Sequence, residues 1–185
     1  MSRRAPPFRN AAEREGDRVK PLRVAAGLSL AVLATLALGA LDVPAPPDFF
    51  LLVVADMARG GAAVPAMLAG LPAGLLQDAL FSPGRLLGLH TFSKVLVGYL
   101  LATVGARTVV EKPVAVGGLL TGAVLVEAAT LTFLIWVLKG DFLPPAPWPL
   151  AARALATGVI GGLLYAASRV PWRQRREARR RVRLN

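Results

Sequence analysis

The chain has 185 residues, 55% of them hydrophobic, and its mean hydropathy is +0.54. So apolar a composition excludes an ordinary soluble domain, and the absence of cysteine excludes disulfides and thiolate metal sites. The formal net charge of +11 comes from the two ends, because residues 1–23 contain seven Lys or Arg and residues 169–185 contain eight.

The chain begins with a basic segment and two apolar ones. Residues 1–21 are predicted to form a basic cytoplasmic arm, and residues 22–41 a first membrane span, because 20 helical residues cover the ~30 Å hydrocarbon core. This run is longer than the roughly 7–15 residues of a signal-peptide core, so we expect it to be retained. After a proline-rich break, residues 48–58 are too few to cross as one straight helix. We expect this segment to cross with the help of the preceding residues, or to lie tilted and sheltered by protein.

Four longer apolar segments follow, and the chain ends in a basic tail. The predicted spans cover residues 62–81, 87–105, 113–138 and 150–167, so residues 22–168 form a membrane domain and residues 169–185 a cytoplasmic tail. The predicted fold class is an all-α integral membrane protein, a bundle of six transmembrane helices. Glycines four residues apart are expected at close helix contacts. These pairs are Gly70/Gly74, Gly118/Gly122 and Gly158/Gly162.

The distribution of Lys and Arg predicts the orientation. With six crossings, both tails lie on one side together with 18 of the 22 Lys and Arg residues, whereas the other side has only Arg85 and Lys139. Cytoplasmic segments are enriched in Lys and Arg, so both termini are predicted to be cytoplasmic. With five crossings the asymmetry would disappear, which favours a second segment that crosses.

Four polar residues interrupt the apolar hairpin of the third and fourth spans: Gln77, Asp78, His90 and Lys94. His90 and Lys94 are four residues apart and share a helix face. We predict that Asp78 pairs with Lys94 or His90, because an unpaired charge at a helix centre costs ~2.5–3.5 kcal/mol in a membrane. A structural clamp is the favoured interpretation, and the alternatives are contact with a partner protein and a site that moves ions or protons.

Glu127 lies midway along the fifth span and is the acid placed deepest in the predicted membrane domain. We expect it to face the bundle interior as a hydrogen-bonded, neutral side chain. A proton relay is the alternative, but a relay needs a chain of titratable groups, and none is evident on this helix.

The tail is predicted to bind anionic lipid rather than nucleic acid, since each basic residue near the membrane surface contributes about 1 kcal/mol. Its lipid-binding residues are Arg173, Arg175, Arg176, Arg179, Arg180 and Arg181. Neither an HExxH motif, a Gly-rich phosphate loop nor a GxSxG motif occurs. The chain is therefore expected to be non-enzymatic, without a cofactor or metal.

The hairpin resembles the MreD rod shape-determining family. That family carries a GLxxD stretch, a Gly-Leu-His-like step with a following Lys, and a Gly-Tyr pair. Here the similar residues are Gly74, Asp78, Gly88, His90, Lys94, Gly98 and Tyr99. The short second segment after a proline-rich break is also similar to the family, although the specific resemblance is confined to residues 74–100.

The resemblance implies a non-enzymatic inner-membrane scaffold of the bacterial cell-wall elongation complex, which directs peptidoglycan synthesis. The partners it implies are MreC, RodA with its class B penicillin-binding protein and, indirectly, the actin-like MreB; a homo-oligomer is compatible with it. It also implies a fold like the S-component of energy-coupling-factor transporters. That likeness leaves a second function open, a small-molecule-binding transporter subunit, which would need a polar, ligand-sized cavity that opens outward.

Overall fold

The computed structural model is a bundle of α-helices, and it describes residues 20–59, 61–81, 87–107, 112–140, 142 and 144–169. The predicted arm up to residue 19, the hairpin turn at 82–86 and the tail from residue 170 lie outside the described residues. The helices are α1 (Lys20–Ala40), α2 (Phe49–Ala58), α3 (Ala63–Phe81), α4 (Leu89–Arg107), α5 (Pro113–Lys139) and α6 (Pro147–Arg169). Within these ranges there is no strand, and the all-α fold class is confirmed.

Five of the described helices are long and apolar enough to cross a membrane, and the exception is α2, with 10 residues. Large apolar side chains are exposed on the long helices, among them Leu33 on α1, Leu68 on α3 and Leu163 on α6. Apolar side chains on an outer surface are what lipid contact requires, because lipid tails are as apolar as leucine. The chain is therefore a multi-pass membrane protein.

The short helix α2 begins partway through the bundle. Residues 41–48 leave α1 as non-helical backbone, since the prolines at positions 44, 46 and 47 cannot continue a helix. Asp48 then starts α2, because its Oδ1 accepts a hydrogen bond from the N–H of Leu51 at 2.9 Å. Ten helical residues cover only about 15 Å, about half of a hydrocarbon core. The non-helical segment before Asp48 therefore supplies the remaining depth.

The end of α2 lies at the level where α1 starts. Arg23 on α1 is 3.5 Å from Asp56 near the end of α2, and Arg59 donates a hydrogen bond to Ser168 at the end of α6. Residues 41–58 thus return the chain to its starting level, and the start of α1 and the end of α6 share one end of the bundle. We call this end the terminal end.

The α3–α4 hairpin is packed tightly through glycines. A Cβ atom on Gly70 would lie 2.8 Å from the carbonyl oxygen of Lys94, and one on Gly74 would overlap the backbone of Thr91. Both residues of this predicted glycine pair therefore lie where α4 approaches α3 closely. Such a close approach fixes the register of the polar side chains that the two helices carry.

In the α5–α6 hairpin, the predicted pair Gly158 and Gly162 on α6 lies against α5, whereas the pair predicted on α5 does not lie at the contact. Gly158 contacts α5, and a Cβ atom on Gly117 would lie 2.9 Å from the carbonyl oxygen of Gly158. Gly118 and Gly122 face open space, so their predicted role at a helix contact is wrong. The physical reason is the helical rotation of about 100° per residue, which turns Gly117 toward α6 and its neighbour away.

Candidate functional site

A lysine is fully buried at the centre of the bundle. Lys94 on α4 has 0% exposure, and its Nζ donates to Asp48 Oδ2 at 2.8 Å and to Glu127 Oε1 at 3.0 Å. A buried ammonium is costly unless it is paired and hydrogen-bonded, and here two carboxylates from different parts of the chain meet it. The side chain of Glu127 faces the interior as predicted, with 2% exposure.

Asp48 joins the short helix to the rest of this site. Its Oδ2 accepts from Lys94 and also from Arg153 Nη2 on α6, at 2.7 Å. Its backbone N–H donates to Thr157 Oγ1 at 2.9 Å, one turn further along α6. The start of α2 is thus fixed to α4 and α6 by both the side chain and the backbone of one residue.

We call Asp48, Lys94, Glu127 and Arg153 the charge network. It contains two acids and two bases, so its formal charges balance when all four are ionised. Each charge would be expensive alone in a membrane interior. The network brings the charges together from the α1–α2 connection, α4, α5 and α6, which explains how four ionisable groups are accommodated inside an apolar bundle.

A second polar cluster, the hairpin brace, lies where α3 meets the start of α4. Asp78 on α3 accepts the backbone N–H of Gly88 at 2.8 Å, of His90 at 3.2 Å and of Thr91 at 3.3 Å. The first N–H groups of a helix have no partner within the helix and carry a partial positive charge. Asp78 therefore caps the start of α4 from the neighbouring helix α3. Gly88 has a φ of +102°, and the turn it forms directs the backbone N–H groups at the start of α4 toward the Asp78 carboxylate.

Of the two partners predicted for Asp78, the structure places His90 beside it and Lys94 elsewhere. His90 Nδ1 lies 3.1 Å from Asp78 Oδ1, although without the directions of a hydrogen bond. Lys94, one turn further along α4, binds the charge network instead, so the predicted Asp78–Lys94 pair is wrong. Gln77 is buried, and its Oε1 has no hydrogen-bond partner among the described residues.

Asp48 and Arg153 are site residues that the sequence patterns leave unassigned. Asp48 follows two prolines and precedes an apolar run, which is the pattern of a helix N-cap and a usable signal. Arg153 is a cation inside a predicted span, so it needed an acidic partner somewhere in the bundle. The titratable groups near Glu127 come from α4, α6 and the α1–α2 connection, and the sequence of α5 alone does not reveal them.

The remaining family-like residues lie apart from both clusters. Gly98 packs on the backbone of Ala66, and Tyr99 is exposed on the outer face of α4. The arginines of the tail lie outside the described residues, so their lipid binding stays a prediction. Within the described part of the chain, no three His, Asp or Glu side chains are placed to hold a metal ion.

A cavity of about 620 Å³ reaches the charge network from the end of the bundle opposite to the terminal end. Glu127, Arg153 and His90 line its inner part, and the exposed Lys139 lies at its rim. In the described part of the chain, two buried atoms of the network have no hydrogen-bond partner, namely Glu127 Oε2 and Arg153 Nε. The site can therefore offer one acceptor and one donor that the described residues do not satisfy.

No protein-family model matches the chain, and neither a curated protein nor a solved structure is similar to it. The likeness to MreD and to the S-components therefore stays a prediction from residues 74–100.

Proposed function

We propose that the protein is a non-enzymatic inner-membrane scaffold of the cell-wall elongation complex, similar in role to MreD. It binds MreC and helps to place RodA and its class B penicillin-binding protein, and it is linked to MreB indirectly. The observation that supports the proposal most is the hairpin brace. The brace holds α3 and α4 together through three of the family-like residues, Asp78, Gly88 and His90.

The polar groups of the bundle also favour a structural role. In the charge network every charged side chain is held by an opposite charge within 3.0 Å. In the brace the carboxylate is held by backbone N–H groups. Groups held in this way stabilise one arrangement of the helices, and a rigid bundle is what a docking platform for partner proteins needs.

The proposed orientation places both termini in the cytoplasm. The start of α1 and the end of α6 share the terminal end of the bundle, which agrees with an even number of crossings. The basic residues of both tails are then on the cytoplasmic side, as the enrichment of Lys and Arg there requires. In that position the tail arginines meet the anionic lipid of the inner leaflet.

Depletion tests the scaffold in a rod-shaped bacterium that produces this protein. Loss of the protein is expected to give round cells, and affinity purification of the tagged chain from native membranes is expected to recover MreC. Re-expression of Asp78→Ala should fail to restore the rod, whereas Tyr99→Phe, which changes an exposed side chain, should restore it. Normal rods after clean deletion would refute the proposal.

A second candidate is a small-molecule-binding subunit like an S-component. The cavity of about 620 Å³ favours it, because this volume lies in the range of ligand pockets, ~300–1,000 Å³. Transport separates the candidates, since a carrier moves a compound into cells or vesicles and a scaffold does not. Comparison of metabolite uptake in cells with and without the protein would detect it.

A further inference from the structure

The cavity beside the charge network combines apolar walls with a polar floor. Leu131 and Ile135 on α5 and Leu150 on α6 belong to the walls. The floor is formed by Glu127 and Arg153, with His90 beside them. Glu127 and the rim residue Lys139 are 12 positions apart on one helix, so the cavity extends along about 18 Å of α5. This shape suits a ligand with a long apolar body and a small polar end.

The floor presents an acceptor and a donor that have no partner among the residues that the structure describes. Glu127 Oε1 is occupied by Lys94, but Glu127 Oε2 has no partner, although the side chain is 98% buried. Arg153 Nη2 is occupied by Asp48, but Nε, also buried, has none. Buried polar atoms are nearly always hydrogen-bonded, and losing a bond to one costs ~1–3 kcal/mol. Both side chains line the cavity, so a molecule inside it could complete their hydrogen bonds.

The charges of the floor determine the kind of polar end. When Glu127 is ionised beside the Lys94 ammonium, two acids and two bases balance, and a charged ligand would then bring an uncompensated charge into the site, at a high desolvation cost. A neutral group that donates and accepts through neighbouring atoms has no such cost. A primary carboxamide does this, since its N–H₂ can donate to Glu127 Oε2 while its carbonyl oxygen accepts from Arg153 Nε–H.

We propose that this cavity binds a neutral amphiphile, a medium-chain molecule with a carboxamide-type polar end, held by Glu127 and Arg153 with its chain along α5. The site is independent of the scaffold role and does not require transport. It gives the bundle a way to sense or hold a membrane-soluble molecule at the place where α4, α5, α6 and the start of α2 meet.

Equilibrium binding of radiolabelled dodecanamide tests the proposal. The full chain is placed in phosphatidylcholine nanodiscs, and binding to empty nanodiscs is subtracted. We expect saturable binding at one site per chain. Unlabelled dodecanamide should displace the label about tenfold better than methyl dodecanoate, which cannot donate, because one buried hydrogen bond of ~1.4 kcal/mol corresponds to this factor.

Charged competitors and variants sharpen the test. Dodecylamine and dodecanoate should displace the label at least tenfold more weakly than dodecanamide, because their charged ends are poorly accepted. Leu131→Trp fills the cavity and should abolish binding, whereas Leu125→Trp, on the exposed face of the same helix, should leave it unchanged. Glu127→Gln can still accept from Lys94 but replaces the free acceptor by a donor, and should weaken binding about tenfold.

Three results would overturn the proposal. The first is binding that does not saturate above the nanodisc background, and the second is displacement of the label by methyl dodecanoate as effective as that by dodecanamide. The third is a Leu131→Trp variant that binds dodecanamide as well as the wild type does. The first would mean that water alone fills the cavity, and the second that the polar floor does not select the ligand. Size-exclusion profiles that match the wild type establish that the variants are folded.

Discussion

The bundle stabilises buried charge in two different ways. In the hairpin brace, Asp78 binds backbone N–H groups that lie 10 to 13 residues away in the sequence. In the charge network, Asp48 and Lys94 are 46 residues apart and Asp48 and Arg153 are 105 apart. The brace is a local feature of one hairpin, whereas the network connects four parts of the chain. Breaking the network should therefore weaken the whole bundle, and breaking the brace mainly the start of α4.

The largest loss is expected for Asp48→Ala. This change leaves Lys94 without one of its two carboxylates and Arg153 without its acceptor, and it removes the cap of α2. Breaking a buried ion pair by removing one partner costs about 3–5 kcal/mol. The free energy of unfolding should fall by at least this amount, measured by titration with SDS in mixed micelles and followed by tryptophan fluorescence.

Two variants in the same connection separate charge from capping. Asp48→Asn keeps a side-chain oxygen that can accept from Leu51, so it should lose less stability than Asp48→Ala. Asp42→Asn changes an exposed acid of the same connection and should have little effect. If Asp48→Ala were no worse than Asp42→Asn, the charge network would not be the feature that holds α2 in place.

The second prediction concerns the coupling between Lys94 and Glu127. Lys94→Met should cost about 3–5 kcal/mol, because it leaves two buried carboxylates without their shared cation. Adding Glu127→Gln removes one of these carboxylates, so the double variant should be more stable than the sum of the single losses predicts. A double-mutant cycle measures this interaction, expected at about 0.5–3 kcal/mol. If the stability losses of Lys94→Met and Glu127→Gln were strictly additive, a direct interaction between Lys94 and Glu127 would be contradicted.

The difference between the two clusters also explains what could be predicted from the sequence. Asp78 and His90 lie on adjacent spans joined by a short turn, so hairpin geometry alone brings them close. The partners of Lys94 depend on how the start of α2 and α5 pack against α4, and no periodicity within a helix contains that information. The choice of Lys94 as a partner of Asp78 fails for this reason.

Helix number and type were predictable because the apolar segments are long and separated by proline, glycine and charge. The depth at which α2 starts could not be predicted, since it depends on the path of the non-helical residues 41–47 and on the contact of Asp48 with cations of distant helices. The glycine contact of α5 was missed by one residue, because glycines four residues apart select Gly118 with Gly122, and only the rotation of the helix in the bundle turns Gly117 toward α6.

The third prediction concerns the brace. Asp78→Asn keeps one acceptor oxygen but removes the charge and the second oxygen, so part of the cap of α4 is lost. We expect the free energy of unfolding to fall by about 1–3 kcal/mol, the cost of leaving buried polar groups unsatisfied. Hydrogen exchange should rise at the amides of Gly88, His90 and Thr91 and stay unchanged along α6. Faster exchange throughout the bundle would show that brace and network are not separate.

The smallest effect is expected for the ion pairs at the terminal end. Asp56 lies 3.3 Å from Arg59 and 3.5 Å from Arg23. The side chain of Asp56 is 32% exposed, and those of Arg59 and Arg23 are 42% and 64% exposed. Water and salt screen such pairs, and exposed pairs typically contribute about 0.2–1 kcal/mol. Asp56→Asn should therefore lower stability by less than 1 kcal/mol, and raising the salt concentration should abolish the difference from wild type. Asp48→Asn measured in the same series should keep its deficit at high salt, because the side chains of Asp48 and Lys94 are fully buried. If the two variants responded alike to salt, the distinction between buried and exposed charge in this bundle would not hold.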